Sequence, residues 1–114
     1  MSAQQKAYAS LSAMALRFPG ATEHHPWGET AIKVKGKVFV FLYLGPEGLA
    51  LTAKLPETGR AAMMLPFAEP TGYGLGKSGW VTARFRPKEK VPVPLLEEWI
   101  AESYAAIAPP KKRA

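Results

Sequence analysis

The segment TGYGLGKSGW, residues 71–80, holds the two patterns in the chain that are typical of phosphate binding. Gly-Lys-Ser at 76–78 matches the end of the motif GxxxxGK[ST], and residues 74–79 match GxGxxG. The first motif requires a glycine at position 71, which is threonine here. Both motifs also need a helix after the loop, whereas the following WVTARFR alternates as a strand does. The segment is therefore predicted to be a turn that leads into a strand, and nucleotide binding is not expected.

His24 and His25 are the residues that could bind a metal ion. Adjacent residues of a strand point to opposite faces, so the two imidazoles cannot hold one ion together. Glu23 shares a face with His25, but two ligands do not make a site. A packed or hydrogen-bonded histidine is the simpler interpretation, and no metal or other cofactor is expected.

No set of side chains in the sequence predicts an enzyme. Cys and Asp are absent, which leaves a catalytic dyad to be built from His, Ser, Lys or Glu. Lys77 and Ser78 are sequence neighbours, a spacing that does not let them meet as base and nucleophile. The glutamates near the C-terminus are explained by the exposed side of a closing helix: Glu97, Glu98 and Glu102. We therefore expect no catalytic residues.

The overall charge favours an anionic partner only weakly. The 114 residues include 15 Lys and Arg against 9 acids, a net charge of +6. Three positive charges lie in Lys111-Lys112-Arg113, and a basic tail alone is more often a solubilising end than a binding device. There is no apolar run near 20 residues and no signal-peptide pattern, so a cytoplasmic protein that does not span a membrane is expected. The length predicts one domain over residues 1–110, followed by a basic tail at 111–114.

Hydrophobic periodicity predicts an α+β fold, in which N- and C-terminal helices back an antiparallel β-sheet. An amphipathic helix is expected at 3–18 and a short one across 57–65. The strands are predicted at 30–44, with a hairpin turn at Lys35-Gly36, at 49–55 and at 80–86. The closing helix is predicted from one apolar stripe, which Pro109 ends: Leu96, Trp99, Ile100, Ser103 and Ile107.

The strand KVFVFLYL, residues 37–44, alternates between two sets of side chains. Strict alternation predicts Val38, Val40, Leu42 and Leu44 on one face of the sheet, and Phe39, Phe41 and Tyr43 on the other. Three aromatic rings on one face either lie under a helix or form an apolar surface for another chain.

Several segments, taken in order, resemble the MmcQ/YjbR family of small bacterial proteins, and together they cover nearly the whole chain. They are Phe-Pro-Gly at 18–20, His-Pro-Trp-Gly at 25–28, Lys-Gly-Lys at 35–37, Gly-Lys-Ser-Gly-Trp at 76–80 and the Ala-Pro after the last helix. The resemblance implies a frataxin-like (CyaY-like) α+β fold. For function it implies DNA binding through a "double wing" of hairpins. Frataxin binds iron through acidic side chains of its first helix and a neighbouring strand. Residues 3–18 contain no acid, so iron chemistry is not expected.

The strand predictions place basic residues on one face of the sheet. If Ile32, Val34, Leu51, Ala53, Val81 and Phe85 face the helices, the other face gathers cations beside Trp80 and Thr82. The predicted nucleic-acid-binding residues are Lys33, Lys35, Lys54, Arg84 and Arg86 on this face, Lys37 and Lys77 in turns nearby, and Trp80 as the stacking residue.

Three interpretations of this face remain open. Nucleic-acid binding requires cations that displace counterions from phosphates and, beside them, a ring that stacks on bases. The same pattern fits a solvated face whose Lys and Arg discourage edge pairing. The third interpretation is an interaction module that binds a protein or a small ligand. Weak, sequence-independent DNA binding by a non-enzymatic protein is the working hypothesis, and the sequence indicates no oligomeric state.

Overall fold

The computed structural model describes residues 2–72 and 75–108, apart from the side chain of Trp27. The elements in chain order are α1 (Ala3–Leu16), β1 (Ala21–His24), β2 (Thr30–Val34), β3 (Lys37–Gly45), β4 (Gly48–Lys54), α2 (Gly59–Ala62), β5 (Ala68–Pro70), β6 (Trp80–Phe85) and α3 (Val93–Ile107). Single 3₁₀ turns occur at Pro26–Gly28 and Leu75–Ser78. The predicted Pro109 stop and the tail at 111–114 lie outside the described residues.

The six strands form one sheet in the order β1-β2-β3-β4-β6-β5, and all neighbours are antiparallel. Helices α1 and α3 pack against each other and against β3 and β4. The predicted α+β arrangement, with helices from both chain ends backing an antiparallel sheet, is therefore confirmed. The sequence did not predict β1 and β5, which are short edge strands of four and three residues.

Both terminal helices bury the side chains that their periodicity predicts. In α1, Leu11 and Ala15 are fully buried, and Ser2 and Gln5 form a capping box at the N-terminus. This helix ends at Leu16 rather than at 18, because Phe18 precedes a proline and that position disfavours helical backbone. In α3, the predicted stripe is buried from Leu96 to Ser103.

A β-bulge in β3 overturns the predicted alternation of that strand. Ile32 of β2 is opposite Val40 and Lys33 is opposite Val38, so Phe39 has no partner in β2. Phe39 is fully buried on the helix side, where its ring packs against Phe18 and Tyr104. The prediction that grouped Phe39 with Phe41 and Tyr43, and Val38 with Val40, was wrong because it assumed an uninterrupted strand.

A buried hydroxyl from α3 enters the sheet beside this bulge. The paired positions of β3 and β4 begin at Val40 and Ala53, one residue short of Phe39 and Lys54. There the Ser103 hydroxyl donates a hydrogen bond to the Phe39 carbonyl oxygen at 2.5 Å and accepts one from the Lys54 amide at 2.8 Å. Ser103 therefore replaces one rung of the ladder and satisfies two backbone groups that would otherwise be buried without partners.

The hairpin turn predicted at Lys35-Gly36 is present, and a second tight turn follows β3. Lys35 and Gly36 have φ angles of 52° and 78°, the positive pair that a type I′ turn requires. The second turn connects Gly45 to Gly48 across β3 and β4. Gly48 has φ 117°, and a Cβ atom there would lie 1.8 Å from the Phe85 carbonyl oxygen, so no other residue fits.

The short helix predicted across 57–65 is one turn, α2, and it is tied to α3 by Glu102. The Glu102 carboxylate accepts hydrogen bonds from the amides of Glu57 and Thr58 and from the Thr58 hydroxyl. Partial burial raises the pKa of Glu102, but these hydrogen bonds outweigh it and hold the pKa below its usual range. Glu102 is therefore a structural acceptor, not the solvated side chain that the sequence predicted.

Candidate nucleic-acid interface

The face of the sheet opposite α1 and α3 is called the open face here. The register between strands groups its side chains, because partners in an antiparallel pair lie on the same side. One row runs Phe41, Thr52, Thr82 and Glu69; another runs Tyr43, Ala50 and Arg84; Lys54 is opposite Trp80, and Lys33 is opposite Val38. The predicted inward residues of β2, β4 and β6 are buried on the helix side, so the predicted division between the two faces is correct for these strands.

Phe41 and Trp80 form an aromatic pair on the open face. Their ring centroids are 6.2 Å apart across β4, with the planes tilted by 55°. Both side chains are half-buried and keep part of their surface in solvent. Thr52 lies on β4 opposite Phe41, and its hydroxyl bonds to that of Thr82 at 2.9 Å. The pair is therefore an apolar area of two tilted rings, bordered by small polar side chains.

Five of the predicted residues lie together at one end of the sheet, called the lysine end here. Lys33 and Lys54 are on the open face, Lys35 is in the β2–β3 turn, Lys37 begins β3 and Lys77 directly precedes β6. All five are exposed or half-buried. Lys37 is opposite the inward-facing Val34, which places it on the helix-side rim rather than on the open face. Neither of the two ion pairs formed within residues 2–72 and 75–108 involves a lysine.

The two predicted arginines lie at the other end of the sheet, called the mixed end here. Arg84 lies four positions after Trp80 on β6, a distance of about 13 Å along a strand. The Arg84 Nε donates to the Glu69 carboxylate at 2.5 Å. Arg86 lies beyond the end of β6, where its backbone amide donates to Glu89. The cations that the sequence predicted as one patch are therefore two groups with different neighbours.

Acidic side chains distinguish the mixed end from the lysine end. Hydrogen bonding to Glu47, some loss of water contact and the negative charges of Glu47 and Glu29 raise the pKa of Tyr43 above its ordinary value. Tyr43 and Glu47 also line a cavity of about 730 Å³, together with Phe67, Arg84 and Arg86 among others. This end therefore presents both signs of charge around a hollow, whereas the lysine end presents one.

Comparison with known proteins assigns the family. The model of the YjbR family matches residues 16–106, which include all six strands and most of α3. The chain belongs to the YjbR family. No curated protein matches it. Among solved structures, it is similar to the crystal structure of Deinococcus radiodurans protein DR2400, a DUF419 domain. The two are 27% identical with a TM-score of 0.69, over 87% of this chain and 76% of that chain. The resemblance to MmcQ/YjbR proteins is thus confirmed.

The glycine-rich segment of this YjbR-family protein has the predicted context. The Leu75–Ser78 turn is followed by Gly79, with φ 90°, and then by β6. A strand stands where a phosphate-binding loop would need a helix. Gly74, the start of the GxGxxG match, lies outside the described residues. Among those described, the segment supplies Lys77 and brings Trp80 onto the open face.

The two histidines are held by neighbouring side chains. The His24 ring bonds to the Thr22 hydroxyl at 3.0 Å, and the His25 ring contacts Glu23 at 3.2 Å and the Thr30 hydroxyl at 3.4 Å. Within the described ranges, no three potential ligands among His, Cys, Asp and Glu come together as a metal site would require. Likewise, no helix of the described chain is long and apolar enough to cross a membrane.

Sequence reasoning missed one residue and two contacts that shape the sheet in this YjbR-family fold. Glu69 was missed because its strand, β5, is three residues long and ends in proline, which gives no alternation to detect. The pairing of Phe41 with Trp80 depends on the β3-β4-β6 order, which the sequence does not state. Ser103 was predicted to be inward on α3, but its role as a bridge depends on the bulge at Phe39.

Proposed function

We propose that this YjbR-family protein binds DNA weakly and without sequence preference through the lysine end of the open face. The observation that carries the proposal is the group of five lysines at one end of the sheet, where Lys33 and Lys54 share the open face with the Phe41–Trp80 pair. Neither ion pair of the described chain includes a lysine. Lysines that are free of acidic partners release counterions when they meet phosphates, and this release drives sequence-independent binding. Arg84 and Arg86 contribute less, because acidic side chains lie beside them.

The composition supports binding without base readout. Asn and Gln are the side chains that recognise adenine by paired hydrogen bonds. The chain has no Asn, and its two Gln residues both lie in α1. There Gln4 bonds to the Arg86 carbonyl oxygen, and Gln5 closes the capping box. The lysine end therefore offers no amide side chain that could read adenine, and its cations and rings are suited to phosphates and base faces.

We also propose that the protein is not an enzyme. Lys77 and Ser78 lie in one exposed 3₁₀ turn, a setting without the buried base and orienting group that activate a serine. The His25–Thr30 contact resembles a base and a hydroxyl, but Thr30 is buried and also bonds to Tyr8, so its oxygen is closed to substrate.

The test is fluorescence anisotropy of labelled DNA against the protein from about 50 to 200 mM salt, a range in which phosphate contacts lose affinity steeply. Lys33→Glu/Lys54→Glu should weaken binding at low salt by about a hundredfold or more. The matched control, Arg84→Glu/Arg86→Glu, should weaken it less than about tenfold. A chain that ends at residue 110 should keep most of its affinity. Equal losses in the two double variants, or binding that disappears with the tail alone, would contradict the proposal.

The cavity at the mixed end favours a second candidate function, the binding of a small ligand. Its volume of about 730 Å³ is within the range of small-molecule sites, and it is lined by both charged and aromatic side chains. A ligand with both signs of charge would match Arg86 and Glu47. The test is a thermal-shift screen of amino acids and other small zwitterions, in which a rise in Tm should be lost in Arg86→Ala. A screen without such a rise would leave this cavity without a role.

A further inference from the structure

We infer that the DNA bound at the lysine end is single-stranded, an inference that rests on the proposed function and narrows its ligand. Phe41 and Trp80 present adjacent rings on the open face, and lysines lie around them on β2, on β4 and before β6. This is the combination by which proteins hold single strands: cations follow the backbone while aromatic rings stack on unpaired bases.

The open face is too wide at the lysine end to enter a groove of an intact duplex. The lysine end spans four neighbouring strands, with Lys33 on β2, Lys54 on β4 and Trp80 on β6. Three interstrand spacings make about 14 Å of backbone before side chains are added. The major groove is about 12 Å wide and admits a helix or a two-stranded ribbon. The four-stranded open face could therefore meet a duplex only from outside, through its phosphates.

The position of the rings leads to the same conclusion. In a duplex the base faces are covered by stacking, so a ring reaches them only as a wedge driven between base pairs. Phe41 and Trp80 lie within the sheet, half-buried and in contact with each other, and do not project from a turn or an edge. They can receive a base that is already unstacked, but they cannot open a stack. Duplex DNA would use the lysines alone, whereas a single strand would use both lysines and rings.

The surroundings of the rings explain why this site would not select a base. The hydroxyl side chains of the open face beside the rings are those of Thr52 and Thr82, which bond to each other, and Thr71 bonds to Thr82 at 3.0 Å. These hydroxyl groups are already engaged among themselves. Stacking on a ring is available to every base, so binding should tolerate any sequence.

The experiment compares an oligo-dT strand of about twelve nucleotides, within the usual size of such sites, with a duplex of the same length. Wild-type protein should bind the single strand at least about tenfold more tightly at the same salt, since each of two stacked bases adds about fivefold or more. Phe41→Ala/Trp80→Ala should remove this preference and leave duplex affinity within about threefold. Trp80→Phe, which keeps a ring, should retain most of it.

A second readout is the protein's own fluorescence. Titration with oligo-dT should quench the emission of Trp80. The part of the quenching that is lost in Trp80→Phe reports on this ring, because Trp99 is buried on the helix side and Trp27 is the same in both proteins. The comparison of wild-type affinities for the two DNA forms needs no variant that might unfold. Circular dichroism melting of each variant shows whether the fold is retained.

The possible outcomes separate this inference from the proposed function. Duplex binding as tight as single-strand binding would overturn the inference and leave DNA binding in place. Absence of both would overturn the two together. Loss of duplex affinity in the folded Phe41→Ala/Trp80→Ala variant, equal to the loss for the single strand, would also overturn the inference. Single-strand preference that depends on the rings would support it.

Discussion

The two ends of the open face differ both in the number of their cations and in what surrounds those cations. Five lysines lie at the lysine end, and two of them, Lys33 and Lys54, share the open face with the Phe41–Trp80 pair. At the mixed end, Arg84 contacts Glu69 and the Arg86 amide contacts Glu89, while Glu29 and Glu47 lie near Tyr43. A phosphate would meet uncompensated charge at the first end and nearly balanced charge at the second. The number of basic residues in a sequence therefore overstates the charge that a surface offers to DNA.

The two ends of the open face also differ in the contacts that hold their strands in place. The lysine end rests on the buried Ser103 bridge, whose removal would leave the Lys54 amide without a partner. The mixed end is joined by the Arg84–Glu69 pair, whose side chains are 66% and 50% exposed. Exposed ion pairs of this kind contribute at most about 1 kcal/mol to folding. The position of the lysines should therefore depend on the core, and that of the arginines on a surface contact that salt weakens.

Replacement of the Ser103 hydroxyl should have the largest effect on stability. Ser103→Ala leaves two buried backbone groups unsatisfied and should lower the free energy of unfolding by about 1 to 3 kcal/mol, measured by urea denaturation. The Lys54 amide should also lose protection in hydrogen exchange. Ser12→Ala is the matched control, because its hydroxyl bonds to the Tyr8 carbonyl oxygen within α1, where alanine is well tolerated. Equal stability of the two variants would show that the bridge is dispensable.

Neutralising two lysines should have the next largest effect. Lys33→Gln/Lys54→Gln should lower the affinity for single-stranded DNA by about tenfold to a hundredfold at 50 mM salt. The slope of log K against log salt should become shallower by about 1.4, since each single-strand phosphate contact contributes about 0.7. Arg84→Gln should leave that slope nearly unchanged. An equally large change with Arg84→Gln would remove the distinction between the two ends.

Removing the acid at the mixed end should produce a smaller change in the opposite direction. Glu69→Gln frees the Arg84 guanidinium and removes one negative charge from the open face. DNA affinity at low salt should rise by about twofold to fivefold and the difference should vanish near 200 mM, because the effect is electrostatic. Anisotropy titrations measure it, and Glu97→Gln on α3 is the control for general charge. A rise of the same size in Glu97→Gln would point to net charge instead of the local pair.

How far sequence reasoning succeeds differs between the faces of the sheet. The inward residues of β4 and β6 and the stripe of α3 were predicted correctly, because burial imposes a period on local sequence. Phe39 was misplaced because a bulge depends on contacts with Phe18, Ser103 and Tyr104, which are distant in sequence. Pattern alone cannot show where a strand loses a partner.

At the candidate site, too, sequence patterns do not show which residues are neighbours in space. Turns and strand ends close in sequence bring Lys33, Lys35 and Lys37 to the same end of the sheet. Lys33 lies on the predicted face, whereas Lys35 lies in the turn and Lys37 on the helix-side rim. The arginines were added to the same patch because their alternation is right, but alternation does not give position along a strand. Nor does it reveal Glu69, which reaches Arg84 from an edge strand without a pattern of its own. Charge compensation between strands is a tertiary property and needs the register.

The smallest expected effect concerns proton binding at the mixed end. Glu47→Gln weakens the hydrogen bond that is the first cause of the raised pKa of Tyr43 and removes the negative charge of Glu47, so that pKa should fall toward 10, the ordinary value of the phenol. A pKa raised by folding favours the neutral phenol. Its contribution to stability is therefore present below pH 10 and is lost as the pH rises through the folded-state pKa.

At neutral pH the same substitution should leave stability nearly unchanged, because the phenol is protonated in both the folded and the unfolded chain. Phenolate absorbance measured against pH, with Tyr43→Phe subtracted to isolate this residue, gives the pKa directly. The same titration with Lys33→Gln in place of Glu47→Gln should not move it, because that lysine lies at the other end of the sheet. An unchanged Tyr43 titration in Glu47→Gln would mean that Glu47 does not affect the pKa of Tyr43. The contrast between the two ends would then rest on Glu69 alone.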